Sequence, residues 1–206
     1  LWLLAQHALL MLQLESAVPV ITEEYQRLQE IGIPSDYQVE ETDHGAGLHS
    51  GGDWHWASLI DRGQVRDEMW KRCPRTADAL QAVPGLCLGD MPFAFAFFST
   101  LAPKSRIAAH CSPCNLRVRV HLPLLVPEPK ACGIRVAASS RSWVPGQCLI
   151  FDDSFEHEVW NDGTQPRVVL LFDLWHWELS AREISSIEAM FREVKAMNEE
   201  RQNREA

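Results

Sequence analysis

The chain has 206 residues, 46% of them hydrophobic and 23% charged. That suits one domain with a sizeable core and excludes disordered, collagen-like and coiled-coil organisation. Nineteen Lys and Arg against 28 Asp and Glu leave a formal net charge of −9, which argues against nucleic acid or an anionic membrane as the main partner, because both need a net basic footprint. Six Cys with a single Cys-x-x-Cys, Cys111 to Cys114, make no disulfide scaffold and leave the compartment open.

The opening run from Leu1 to Leu14 is uncharged, with Gln6, His7 and Gln13 as its only polar residues. It falls short of the roughly 20 apolar residues of a spanning helix. It reads as a buried helix, with the end of a signal or anchor segment as the alternative. A cytoplasmic location and a membrane-tethered, ER-like one through a removed N-terminal anchor both stay open. Ile21, Tyr25, Leu28 and Ile31 then recur at three- and four-residue steps on one helix face, ended by Gly32 and Pro34. Residues 41–53 are rich in Gly and hold no hydrophobic run, which predicts a long loop of the kind that is often functional. A second helical stretch covers 64–83 and stops at Pro84-Gly85.

From Pro92 the texture changes to short apolar or alternating runs at 93–99, 106–110, 115–122, 132–138, 147–152, 155–160 and 167–174. Strands at that spacing predict a sandwich or barrel. Pro145-Gly146 fits the centre of a type II turn, and Asn161-Asp162-Gly163 opens a loop between two strands. Ser180 and Glu183 form a capping box for a last helix, whose apolar face is Ile184, Ile187, Met190, Phe191, Val194 and Met197. The expected architecture is one mainly β domain over 1–206, with a helical N-terminal part (1–88), a β core (89–179), and a C-terminal helix and tail (180–206).

The segment 115–122 alternates completely, with Asn115, Arg117, Arg119 and His121 on one face and Leu116, Val118, Val120 and Leu122 on the other. Between Met91 and Pro127 there is no acid, while Lys104, Arg106, Arg117 and Arg119 add four positive charges. Such a concentration against the overall sign points to a site that receives an anion, for which planar Arg forks suit carboxylates. The competing reading is a solvated outer face. His110 lies just upstream, and His157 alternates with Phe155 and Val159. If 155–160 and 167–174 pair as a hairpin of even register, Arg167 shares the sheet face of His157. Two neutral imidazoles beside an Arg-lined pocket suit a non-haem Fe(II) oxygenase that takes a 2-oxo acid co-substrate. The carboxylate usually found two positions after the first His is Ser112 here. Zinc or dithiol chemistry at Cys111 and Cys114, a non-catalytic jelly-roll binding module, and a metal-dependent cupin-type enzyme using no 2-oxo acid are the alternatives.

The strings FFST, HCSPCNLRVRVHLPL, WVPGQCLIFDDSFEHEVWNDG and RVVLLFDLWHWEL resemble the oxygenase domain of aspartyl/asparaginyl β-hydroxylases. The likeness runs over about residues 14–180 and is strongest over 99–178. It implies a double-stranded β-helix (jelly-roll, cupin-like) and dependence on Fe(II), 2-oxoglutarate and O2. It also implies an iron site with two His ligands and a small residue in place of the carboxylate, so that Ser112 fits the family. By position it implies His110 and His157 as iron ligands and Ser99, Arg119, His121 and Arg167 around 2-oxoglutarate. Asp153 would lie near the metal without ligating it, and Arg117 and Trp54 would face substrate. The implied reaction hydroxylates an unactivated C–H, most simply the β-carbon of Asp or Asn in a peptide or protein, as 2-oxoglutarate is oxidised to succinate and CO2. A small molecule or a lipid acyl chain is the alternative substrate, because several positions depart from the family. His49 stands for a substrate-recognising Arg and Trp56 for a Gln. Trp70 and Ala77 stand where the animal enzyme has a disulfide, a bridge that Cys73 alone cannot replace.

Overall fold

A computed structural model describes residues 2–3, 8–37, 49–50 and 53–205. Among them twelve strands form two antiparallel sheets. The larger has the order β1 (Trp2–Leu3), β10 (Leu149–Phe151), β7 (Arg117–Leu125), β12 (Arg167–Trp175), β5 (Ala96–Leu101), β3 (Trp54–Asp61), β4 (Gln64–Val65). The smaller has the order β2 (His49–Ser50), β6 (Ser105–His110), β11 (His157–Asn161), β8 (Cys132–Val136), β9 (Ser139–Arg141). From β5 to β12 the chain passes to the opposite sheet at each step, except between β8 and β9. That alternation makes a double-stranded β-helix, with Phe97 and Leu171 of one sheet packed against Ile107, Ile134 and Val159 of the other.

The outer face of the larger sheet is covered by α1 (Ala8–Ser16), α2 (Val18–Glu30) and α4 (Pro74–Gln81). Val118, Val120 and Leu122 of β7 point there and pack with Met11, Leu14, Ile21, Leu28 and Leu80. Each such buried side chain contributes about 1.5–3 kcal/mol relative to exposure, so this layer fixes which face of β7 looks inward. The apolar half of its alternation goes to the helices. Arg117, Arg119 and His121 therefore point between the sheets, and the solvated-face reading does not hold.

The helix expected over 64–83 is three elements. Gln64–Val65 pairs back on β3, through a turn in which Gly63 has φ +77° and lies so close to the Gly89 and Met91 carbonyls that no side chain fits. The helical remainder divides into α3 (Asp67–Arg72) and α4 at Pro74, which lacks an N–H and sits in the first turn of α4. The carboxylate of buried Glu24 closes the start of α4, accepting from Arg75 N (2.9 Å), Thr76 N (2.8 Å) and Thr76 Oγ1 (2.6 Å). Strand β3, which the sequence reading leaves without an element, enters the sheet between β5 and β4. Of the opening run, Ala8 onward is helical and the Trp2–Leu3 backbone pairs with β10, while residues 1 and 4–7 lie outside the described residues. Most of the Gly-rich segment 41–53 lies outside the described residues.

The marked turns form as expected. Gln147 N donates to Val144 O around Pro145-Gly146, with Gly146 at φ +76°. Ser180 and Glu183 cap α5 (Ala181–Glu205) reciprocally. All six cysteines are free thiols. No helix of the described residues is long and apolar enough to cross a membrane.

Candidate active site

Strands β11 and β12 do not form the expected hairpin. Strand β11 pairs with β6 and β8, and β12 with β5 and β7. His157 and Arg167 therefore belong to opposed sheets, and their side chains converge on one cavity from two sides. Also on that cavity are Trp54, Ser99, His110, Arg119 and His121, among apolar Ile107, Phe151, Val159 and Leu171.

His110 reaches the interior through an irregularity. His157 stands opposite His110 and Val159 opposite Ile107, so two steps on β11 match three on β6. Strict alternation from Ser105 and Ile107 would turn His110 outward. The extra residue spent on Ala108 and Ala109, both exposed, turns it back in, as bulges beside functional sites do.

The two imidazole centroids lie 4.1 Å apart. Nδ1 of His110 is 2.7 Å from Ala108 O, and Nδ1 of His157 is 3.0 Å from Phe155 O. A carbonyl only accepts, so each Nδ1 carries the proton and each Nε2 keeps a free lone pair, the tautomer a metal requires. Burial lowers the pKa of both, that of His157 to about 4 with further repulsion from His110, so both rings are neutral at pH 7. The hydroxyl of Ser112, at the position of the usual carboxylate, accepts from Arg117 Nη2 at 3.2 Å. Asp153 is the nearby carboxylate. Its Oδ2 accepts from Arg117 Nη1 at 2.8 Å, whereas buried Oδ1 has no partner. Among the described residues no three His, Cys, Asp or Glu side chains form a metal cluster, so the donor set is two neutral imidazoles. Such donors fit a borderline ion such as Fe(II) that leaves positions open to small molecules.

Opposite the imidazoles is a group of hydrogen-bond donors. Arg167 is 1% exposed, has no salt bridge to any carboxylate among the described residues, and bonds through Nη1 to Ser99 O and Oγ at 3.3 Å each. Burial lowers its pKa to about 10, and its Nε–H has no acceptor. Ser99 Oγ also accepts from Trp54 Nε1 at 2.9 Å. With both lone pairs engaged, the Ser99 hydroxyl hydrogen is left to donate elsewhere. Buried donors without acceptors are costly, and a carboxylate is the group that would satisfy them.

Arg117 and Arg119 are not free in this way. Asp173, 0% exposed, accepts from Arg117 Nη1 (2.8 Å), from Arg119 Nε and Nη2 (2.9 and 3.1 Å) and from Phe95 N (2.9 Å). Burial opposes the charge of Arg119, but Asp173 and Asp153 outweigh it and raise its pKa. Arg119 still lines the cavity. Arg117, 3% exposed, stands behind it between two carboxylates, not facing solvent. Two contributors escape the sequence reading: Asp173, a single acid inside an apolar strand, and Trp143, a buried ring whose partners are remote in sequence.

Residues 15–177 match the family model described as aspartyl/asparaginyl β-hydroxylase. This chain belongs to the aspartyl/asparaginyl β-hydroxylase family. It is 35% identical over 146 residues to the Homo sapiens protein named aspartyl/asparaginyl β-hydroxylase, covering 69% of this chain and 18% of that one. It is 31% identical over 170 residues to the Mus musculus aspartate β-hydroxylase domain-containing protein 2, covering 81% of this chain and 47% of the relative. The chain thus spans under a fifth and about half of these relatives. Among solved structures, a Pseudomonas putida prolyl-4-hydroxylase is similar over 79% of this chain and 88% of its own, with 14% identity and a TM-score of 0.48. Trp56, a departure from the family pattern, is stacked on Phe97 (4.0 Å, 17°) and flanked by Tyr37 and Trp54 at 5.1 and 4.9 Å. The wall of β3 beside the cavity is therefore aromatic. His49 pairs opposite Ile107 through its backbone.

Proposed function

We propose that this chain is a single oxygenase domain acting as an Fe(II)- and 2-oxoglutarate-dependent dioxygenase. Its reaction would hydroxylate an unactivated C–H, most simply the β-carbon of an Asp or Asn residue in a peptide or protein. The observation that carries the reading is the placement of Arg167, a buried guanidinium without a carboxylate partner among the described residues, across one cavity from two imidazoles with free Nε2 atoms. His110 and His157 would hold the iron. Bound there, iron would supply dioxygen activation, with 2-oxoglutarate furnishing two electrons as it becomes succinate and CO2.

The chain's own residues provide the rest. Arg167, Ser99 and His121 bind and orient the far carboxylate of the co-substrate. Asp153 presents Oδ1 as an acceptor beside the imidazoles, positioned by Arg117. Phe151, Leu171, Ile107 and Val159 line the cavity with apolar surface that limits water. The aromatic wall of Tyr37, Trp54 and Trp56 supports a second reading in which the same chemistry acts on an apolar small molecule or a lipid acyl chain.

Anaerobic titration with Fe(II) and then 2-oxoglutarate tests the assignment. The expected result is the visible charge-transfer band of a chelated 2-oxo acid, lost in His157→Ala and weakened in Arg167→Ala. Absence of the band from folded wild-type protein would leave a non-catalytic jelly-roll binding module in its place. Mass spectrometry of Asp- and Asn-containing peptides and of acyl substrates after aerobic turnover then separates the two substrate classes by where one oxygen atom is gained.

A further inference from the structure

Trp143 lies between β9 and β10 and is 1% exposed, outside the residues that carry the proposed reaction. It touches two of them at once. Its Nε1 is 3.3 Å from Nδ1 of His121, and the Cζ of Arg167 lies 4.9 Å above its ring centroid. The His121 and Trp143 rings are nearly parallel, 26° apart with centroids at 5.9 Å.

An indole N–H can only donate. His121 Nδ1 must therefore accept, and a neutral imidazole that accepts at Nδ1 carries its proton on Nε2. His121 is neutral, since burial and then the charge of Arg167 lower its pKa well below the ordinary value. Its Nε2 is buried and without a partner, so the tautomer that Trp143 selects places an unmatched N–H donor on the cavity wall. The other tautomer would present a lone pair, which repels a carboxylate. Through its π face the same indole favours the guanidinium of Arg167 at its observed place. His121 stands opposite Leu171 on β12, on the inward face that also carries Arg167, so both groups serve one wall.

From this geometry we infer that Trp143 is a positioning residue for the dicarboxylate co-substrate, fixing His121 as a donor and seating Arg167 for the carboxylate remote from the metal. The inference rests on the reading of the cavity as a 2-oxoglutarate site. It assigns to a residue that touches neither metal nor co-substrate the selection of a five-carbon dicarboxylate over a 2-oxo acid with one carboxylate.

Nitrogen NMR of wild-type protein labelled with 15N-histidine reads the tautomer directly, without metal, ligand or mutation. The expected spectrum has His121 protonated at Nε2 and bare at Nδ1. Calorimetry of the Mn(II)-loaded protein then compares 2-oxoglutarate with 2-oxobutyrate, in wild type and in Trp143→Phe, which keeps a ring and removes the N–H. The expected result is about tenfold weaker 2-oxoglutarate binding in the variant, the scale of one neutral hydrogen bond, with 2-oxobutyrate and Mn(II) binding unchanged and His121 distributed between tautomers. A wild-type His121 protonated at Nδ1 would overturn the inference, even if the variant failed to fold. So would equal loss of both oxo acids, the mark of a merely structural role. Wild-type protein that binds neither oxo acid would instead remove the oxygenase reading, and the inference with it.

Discussion

Arg119 and Arg167 line the same cavity, yet Arg119 meets Asp173 through two hydrogen bonds of 2.9 and 3.1 Å while Arg167 meets no carboxylate among the described residues. The two guanidiniums are equivalent as sequence features and opposite as physical ones. Arg119 is part of a neutral network of two Arg and two Asp; Arg167 is a buried charge awaiting a counterion.

That difference predicts a stability gain from damaging the site. Replacing Arg167 by Met removes an uncompensated buried cation and keeps much of its volume. Replacing even paired buried charges by apolar side chains of similar volume is often neutral or stabilising by about 1–4 kcal/mol, and Arg167 has no carboxylate partner among the described residues to lose. In urea denaturation without ligands, Arg167→Met should be more stable than wild type. Added 2-oxoglutarate and Mn(II) should raise the wild-type midpoint and add less to the variant. A variant less stable than wild type in the unliganded state would show that Ser99 and Trp143 already compensate the charge.

Asp173 predicts the reverse. Asp173→Asn preserves shape but leaves Arg117 and Arg119 sharing one carboxylate, Asp153, in a buried setting. Removing one partner from a buried ion pair costs about 3–5 kcal/mol, and the loss should show in the denaturation midpoint. A change below about 0.5 kcal/mol, the level of an ordinary surface substitution, would mean that water has replaced the carboxylate.

The network is only half legible in the sequence. The alternation of β7 is readable because its apolar half has a period of two and feeds a helical layer, so the residue pattern alone groups Arg117, Arg119 and His121. Their partner is not readable. Asp173 lies 56 and 54 residues from Arg117 and Arg119, and nothing local distinguishes it from a strand-end acid. The expected hairpin fails for a related reason. A short connection between two strands implies pairing in a meander, but in a double-stranded β-helix it carries the chain to the other sheet. His157 and Arg167 do come together, but by a different route. The inward turn of His110 depends on a bulge that alternation alone does not reveal.

The histidines make stability depend on pH in a defined window. His157 titrates near 4 in the folded protein against about 6.5 when unfolded, and His121 is also lowered. Above pH 6.5 neither state takes up the proton and the shifts contribute nothing. As pH falls from 6.5 toward 4 the unfolded chain gains protons that the folded chain refuses, so stability falls by up to about 1.4 kcal/mol per pH unit for each such histidine. Metal-free protein should lose stability across that range, and saturating Mn(II) should oppose the loss, weakening as protons compete for the ligands. Denaturant midpoints measured at pH 7, 6 and 5 check the slope; a flat profile would contradict the buried, neutral assignment.

Ser99 and Trp54 give the most specific energetic coupling. Trp54 Nε1 donates to Ser99 Oγ at 2.9 Å within the core, so Ser99→Ala leaves a buried indole N–H without an acceptor, a cost of about 1–3 kcal/mol. Trp54→Phe removes that donor and releases the second lone pair of Ser99. Each single variant should be destabilised. The double variant should be less so than the sum, with a coupling energy of about 0.5–3 kcal/mol for groups in one hydrogen-bond network. The ligand readout should divide differently: 2-oxoglutarate binding falls in Ser99→Ala, where a cavity donor is lost, and less in Trp54→Phe, where the hydroxyl remains but is no longer held to one orientation. Additive stability effects would mean that the contact is not maintained in solution, and equal losses of affinity would mean that Trp54, rather than Ser99, governs the co-substrate side of the cavity.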